Sequence, residues 1–144
     1  MYEIIPNRLA THGIGDNNLV EPFFNSSTGI ALHNKEGDEV TTENGDYWYI
    51  LDARVISDEG ISDILDYAYL IAYADHMLKG NEACVVCCGV GQSRSNAIAL
   101  GILVHHFKMD FYEAYELIRE KVPIQWIHPD HIAKLKKLFN VTLP

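Results

Sequence analysis

Two residues six positions apart carry the chemistry: Cys88 and Arg94, with Gly89, Val90, Gly91, Gln92 and Ser93 between them and Ser95 directly after. A cysteine attacks as its thiolate. An arginine presents a planar fork of donors that grips two oxygens of a phosphoryl group at once, which the point charge of a lysine does not reproduce. Gly89 and Gly91 let the backbone turn tightly and bring successive N–H groups inward, a concave nest that binds oxyanions. The stretch is therefore a phosphate cradle, Gly89 through Ser93 closed by Arg94, with a nucleophile at its bottom.

The elements that must position this loop are legible on either side of it. Ala83 to Cys87 has no polar alternation, as expected of a strand buried on both faces of a parallel sheet. From about Arg94, the residues Asn96 to Val104 spell a helix apolar nearly all round, so the loop empties into the N-terminus of a buried helix, which carries partial positive charge. Inward N–H groups, a helix N-terminus and a guanidinium all favour thiolate over thiol, and Cys88 is expected to be ionised at neutral pH.

Cys88, five intervening residues and then Arg94-Ser95, with Gly91 and Ser93 between, resembles the signature loop of the cysteine-dependent protein tyrosine phosphatases, specifically the small, atypical dual-specificity branch. The resemblance implies that Cys88 attacks phosphorus to give a phosphocysteine, that Arg94 binds the phosphoryl oxygens, and that Ser95 helps the thiolate leave. It extends over most of the second half of the chain, through Met109-Asp110, Glu113-Ala114, Ile118-Arg119 and Ile127-His128-Pro129-Asp130, and only loosely over the first forty or so residues. One position departs from the pattern: the family usually has histidine before the nucleophile, and here it is Cys87.

Cleaving a phosphate ester leaves an alkoxide or phenoxide, so a carboxylic acid should protonate it and later deprotonate the water that hydrolyses the phosphocysteine. The resemblance puts an aspartate for this on a loop between a strand and the helix that precedes the signature. Asp58 lies on such a loop, thirty residues before Cys88, and is preferred; Asp52, nearer the strand end, is the competitor. Glu59 and Asp63 are poorer candidates, Asp63 because it should already be on the helix.

The 144 residues make one domain, 1–144, with a single substantial core. A formal charge of −9 argues against a nucleic-acid or anionic-membrane surface as the main partner, since both need a basic face. The longest apolar run is too short to span a bilayer and no leader opens the chain. Three cysteines, Cys84, Cys87 and Cys88, crowd one strand and its exit, a layout that suits a reducing compartment; a cytoplasmic protein is expected. Cys84 and Cys87 formally spell CxxC, but inside a strand this is a poor dithiol or zinc pair. A disulfide from Cys88 to Cys87 or Cys84, guarding the thiolate against over-oxidation, is a regulatory hypothesis.

Elsewhere, Tyr2 to Ile5 and Arg8 to Thr11 form a hairpin-like start about Pro6-Asn7. Gly29 to His33 is a short strand, Asn34 to Gly45 a polar connection, and Tyr47 to Leu51 a strong strand. Ile61, Ile64, Leu65, Ala68, Ile71, Ala72 and Leu78 recur at helical spacing over Ile61 to Lys79, with Gly80 as a stop and with Asp75 shifting the last buried turns toward Ala74 and Met77. Asp110 caps a helix that Pro123 ends, and Pro129 starts the last one. This order implies an α/β domain with a central, mostly parallel sheet flanked by helices. His105, His106, His128 and His131 are assigned to the surface or core edge rather than to a metal site, and Tyr67, Tyr69 and Tyr73 to packing.

The function expected is a metal- and cofactor-free phosphatase, acting as a monomer on phosphotyrosine, and also phosphoserine or phosphothreonine, of a protein substrate. Alternatives are a phosphate-binding module that does not turn its ligand over, a phosphatase for a non-protein ester, and a rhodanese-like sulfur-transfer domain.

Overall fold

The computed structural model describes residues 2–13, 38–41, 47–56, 63–79 and 83–141. In chain order these form strands β1 (Tyr2–Ile5), β2 (Leu9–Gly13), β3 (Asp38–Thr41) and β4 (Tyr47–Asp52), a 3₁₀ turn (Ala53–Val55), helix α1 (Ile64–Met77), strand β5 (Ala83–Cys88), and helices α2 (Arg94–His105), α3 (Phe111–Lys121) and α4 (Pro129–Leu138). The sheet order is β1-β2-β5-β4-β3. β5 lies in the middle and runs parallel to β2 and β4, while β1 and β3 close the edges antiparallel. The expected α/β domain is present, and its sheet is parallel at the three-strand centre but mixed as a whole. Connection length explains the split, because a few residues can join only antiparallel neighbours whereas parallel ones need a long crossover.

All six residues of β5 are buried, as an unalternated apolar run requires. The helix that follows is just as enclosed: every residue from Arg94 to Leu103 is buried, and α2 packs on β2, β5, α1, α3 and α4. The loop between β5 and α2 is thus held by the two most enclosed elements described. α3 begins as expected, with the Asp110 carboxylate accepting from Tyr112 N–H and Glu113 N–H. α4 begins at Pro129, behind a His128 cap whose ring nitrogen accepts from Asp130 N–H.

Three expectations need correction. Asp38–Thr41 lies inside the stretch expected to be a polar connection, yet pairs with β4 as an edge strand; an edge tolerates the acidic residues that hid it from a hydrophobicity reading. α1 buries Tyr67, Leu70, Ile71, Ala74 and Met77, whereas Leu65 is 69% exposed and Ala72 is also exposed. Asp63 is the cap of α1, accepting from Leu65 N–H at 3.0 Å, rather than a residue within it. The expected strand Gly29 to His33, the first residues of the α1 pattern at 61 and 62, and the Gly80 stop lie outside the described residues. Among the described residues, no helix is long and apolar enough to cross a membrane.

Candidate active site

Cys88 is the last residue of β5 and only 2% exposed, and its sulfur faces the loop that follows. Sγ lies 3.3 Å from the backbone nitrogen of Gly91, whose N–H donates to it, and 3.3 Å from Ser95 Oγ on the first turn of α2. Arg94 opens that helix, 9% exposed, next to Ser93 at 8%. The sulfur and the hydroxyl singled out from sequence thus stand within hydrogen-bond distance of one another across the loop, and Arg94 opens the helix that follows it. Val90 and Gln92 turn their side chains out to solvent, and the rest of the loop is buried.

Asn96, not anticipated from sequence, explains which way that backbone faces. Its fully buried side-chain amide donates to the carbonyls of Gly91 and Gln92, each at 3.0 Å. Each peptide plane is trans, so a carbonyl turned toward Asn96 sends the N–H of the next residue, Gln92 or Ser93, the opposite way. The sequence signal was present: Asn96 is the lone amide in an otherwise apolar helix, and a buried amide needs partners.

Gly13, at the end of β2, is the second residue that sequence reasoning missed. Gly91 has φ +81°, and a Cβ on it would stand 2.7 Å from Gly13 N; a Cβ on Gly13 would collide with the Val90 carbonyl and lie 2.8 Å from Gly91 N. Two glycines meet where only backbone fits, and this contact seats the loop against β2. Gly13→Ala should lower kcat/KM for an aryl phosphate by about 10- to 100-fold, because displacing reacting groups by about 1 Å costs that much. Steady-state kinetics together with a melting curve that stays cooperative check this.

The other two cysteines differ in kind. Burial pushes the Cys84 thiol up to about 12. Cys87 is raised well above its ordinary value by burial and then by the nearby Asp52 carboxylate. All three are free thiols. Strand geometry opposes the proposed protective disulfides: Cys87 points to the face opposite Cys88, and Cys84, four residues away, is separated by about 13 Å at ~3.3 Å per residue. A disulfide joins Cα atoms no more than about 7 Å apart.

Asp58 and Glu59 lie outside the described residues. Asp52 is engaged elsewhere: its oxygens accept from Arg54 N–H at 2.9 Å, from Nε at 2.9 and 3.0 Å and from an Nη at 2.6 Å, which caps the 3₁₀ turn. It also sits in register with Cys87, on the face turned away from the Cys88 sulfur.

One histidine expectation changes, and one gains a partner. His131 is a core residue, 0% exposed, hydrogen-bonded through Nδ1 to the equally buried Tyr67 hydroxyl, and this partner is what draws Tyr67 inward on α1. His105 and His106 do have a carboxylate between them: His106 Nδ1 donates to Asp75 at 2.8 Å, and this bond holds the Asp75 carboxyl below its ordinary range. Among the described residues, no group of three or more His, Cys, Asp or Glu side chains is arranged to hold a metal ion.

The segment between α3 and α4 is bonded directly to the loop. Trp126 N–H donates to the Gln92 carbonyl at 3.0 Å, and His128 N–H donates to Ser93 Oγ at 3.0 Å. A parallel-centred sheet whose middle strand ends in a buried cysteine, opening through a glycine loop into a central helix, decides the fold. It is that of the small dual-specificity phosphatases. Human DUSP28 matches with a TM-score of 0.53 at 22% identity, over 57% of this chain and 56% of DUSP28. The human tyrosine phosphatase-like serine/threonine/tyrosine-interacting protein matches with a TM-score of 0.54 at 18% identity, over 60% of this chain and 58% of that one. PTPMT1, solved in complex with PI(5)P, matches at 0.53 and 19%, over 59% and 55%. The chain therefore spans little more than half the length of these dual-specificity phosphatase-fold neighbours. No protein-family model matches the sequence, and no curated protein matches it.

Proposed function

We propose that the chain is a cysteine-dependent phosphatase that hydrolyses phosphotyrosine, and also phosphoserine or phosphothreonine, in protein substrates through a phosphocysteine on Cys88. The observation that carries this is the position of the Cys88 sulfur, enclosed at the end of β5 and met at 3.3 Å both by an amide N–H and by the Ser95 hydroxyl. As a thiol the sulfur accepts from the Gly91 N–H and donates to Ser95 Oγ, and once its proton is gone the same hydroxyl can turn to donate to it, beside a helix N-terminus.

In the first step the thiolate attacks phosphorus and an S–P bond forms. The P–O bond to the leaving group breaks, and that oxygen takes a proton from Asp58. The loop N–H groups and the Arg94 guanidinium bind the three equatorial oxygens, where charge accumulates. In the second step water attacks phosphorus, Asp58 takes its proton, and the S–P bond breaks to release phosphate. The Ser95 hydroxyl donates to the departing sulfur.

Asp58 is assigned as the acid because Asp52 is locked onto Arg54 and the 3₁₀ turn. Turnover of an aryl phosphate, inhibited by vanadate, tests the reading as a whole; tight vanadate binding without turnover would favour the binding module. For the acid, Asp58→Asn should cut kcat by about 10²-fold or more. It should also flatten the fall in rate toward high pH, since a general acid works only while protonated. The assignment fails should Asp52→Asn flatten that limb and Asp58→Asn leave it intact.

Protein rather than a highly charged lipid headgroup is favoured because Gly89 to Ser93 supply no cation and the chain carries a net charge of −9. PTPMT1 with PI(5)P keeps the non-protein ester as the second reading.

A further inference from the structure

The described residues expose six large apolar side chains, and three of them, Val90 at 66%, Ile124 at 42% and Trp126 at 56%, belong to the phosphate loop and to the segment bonded to it. Exposing an indole forgoes one of the largest burial gains a side chain can make. This one is also held in place. Its backbone N–H is bonded to the Gln92 carbonyl, its ring packs edge-on against His128 with centroids 5.7 Å apart, and His128 is in turn bonded to Ser93. The turn before it is closed by Gln125 N–H donating to the Val122 carbonyl at 3.0 Å.

Exposed apolar side chains on the candidate phosphate loop and on the segment hydrogen-bonded to it fit something attached to the phosphate-bearing group. Cys88 is 2% exposed, so the phosphorylated side chain itself must reach inward to meet the sulfur. What reaches an outer rim is the residue beside it in the chain. Val90, Gln92, Ile124 and Trp126 are themselves uncharged, so an apolar neighbour gains buried area against them, whereas a charged one finds no partner among these four.

We infer that Trp126, with Val90 and Ile124, forms a subsite for a bulky apolar residue flanking the phosphorylated residue of a peptide substrate. This rests on the phosphatase reading above and goes beyond it by specifying the sequence context that the enzyme prefers.

The test uses the full chain with two phosphotyrosine peptides that differ only in carrying leucine or alanine on each side of the phosphorylated residue, and with p-nitrophenyl phosphate, which has no flanking residue. The leucine peptide should be the better substrate by about five- to tenfold in kcat/KM, the scale of one well-packed apolar contact. In Trp126→Ala the ratio of the two peptides should fall to about 1, and in Trp126→Phe it should be largely restored. Wild-type p-nitrophenyl phosphate turnover with equal rates on both peptides overturns the subsite and leaves the phosphatase standing, as does a leucine preference that survives Trp126→Ala. A Trp126→Ala protein that loses peptide and p-nitrophenyl phosphate turnover in equal proportion would make the indole a support for the loop, which also overturns the subsite. Absence of any wild-type turnover defeats the phosphatase reading and the subsite with it.

Discussion

Replacing Cys88 by serine is expected to abolish turnover of aryl phosphate, lowering kcat by about 10⁴-fold or more, equivalent to roughly 5 kcal/mol of barrier. The change replaces sulfur by oxygen at a position 2% exposed, and the Gly91 N–H and Ser95 hydroxyl remain to satisfy it, so the loop should stay in place. What is lost is the nucleophile, since a serine hydroxyl stays protonated at neutral pH and no described base touches this atom. Inorganic phosphate and vanadate should still bind, because the proposed cradle takes its donors from backbone N–H groups and Arg94, which the substitution leaves in place. Equilibrium binding beside single-turnover kinetics separates the two effects. A serine variant that turns over at more than a few per cent of the wild-type rate would remove Cys88 from the chemistry.

The second large effect is expected at Arg94. Arg94→Lys keeps the positive charge at the start of α2 and removes the planar fork, so any effect beyond charge is that of two-point geometry. A fall of about 10²- to 10³-fold in kcat/KM is expected, roughly 3–4 kcal/mol, matching the loss of a preorganised donor to a transition-state oxyanion. Because the fork grips oxygens whose charge grows in the transition state, most of the loss should appear in kcat rather than KM. Arg94 is 9% exposed in the first turn of a wholly enclosed helix, so a melting curve should accompany the kinetics. Near-wild-type turnover in a folded Arg94→Lys protein would contradict the clamp.

The parts of the molecule legible from sequence are those decided by neighbours along the chain. An unalternated apolar run, a glycine loop and an all-round apolar helix made β5, the loop after it and α2 readable, because burial on every side leaves no polar face to find. The cap at Asp110 and the start at Pro129 were legible because capping is settled within three residues. Long-range pairings were not legible. Gly13 matters through a backbone contact with Gly91 from a strand more than seventy residues away, and no local pattern records it. The inward turn of Tyr67 depends on His131, on the last helix. The ion pair with Arg54 ties the Asp52 carboxylate to the 3₁₀ turn, yet at two residues' separation it resembles any surface pair until the turn it caps is seen. Asn96 was the readable clue passed over, one amide in an apolar helix directly after the signature.

The account depends on a single sulfur being reactive while its two chemical equivalents are not. Burial holds Cys84 near 12 and raises Cys87 well above its ordinary value, so neither should react with iodoacetate at neutral pH. Timed alkylation followed by peptide mass spectrometry should show fast modification confined to Cys88, slowed by inorganic phosphate. Slow labelling shared among the three thiols and indifferent to phosphate would mean that the sulfur at the end of β5 is an ordinary core thiol.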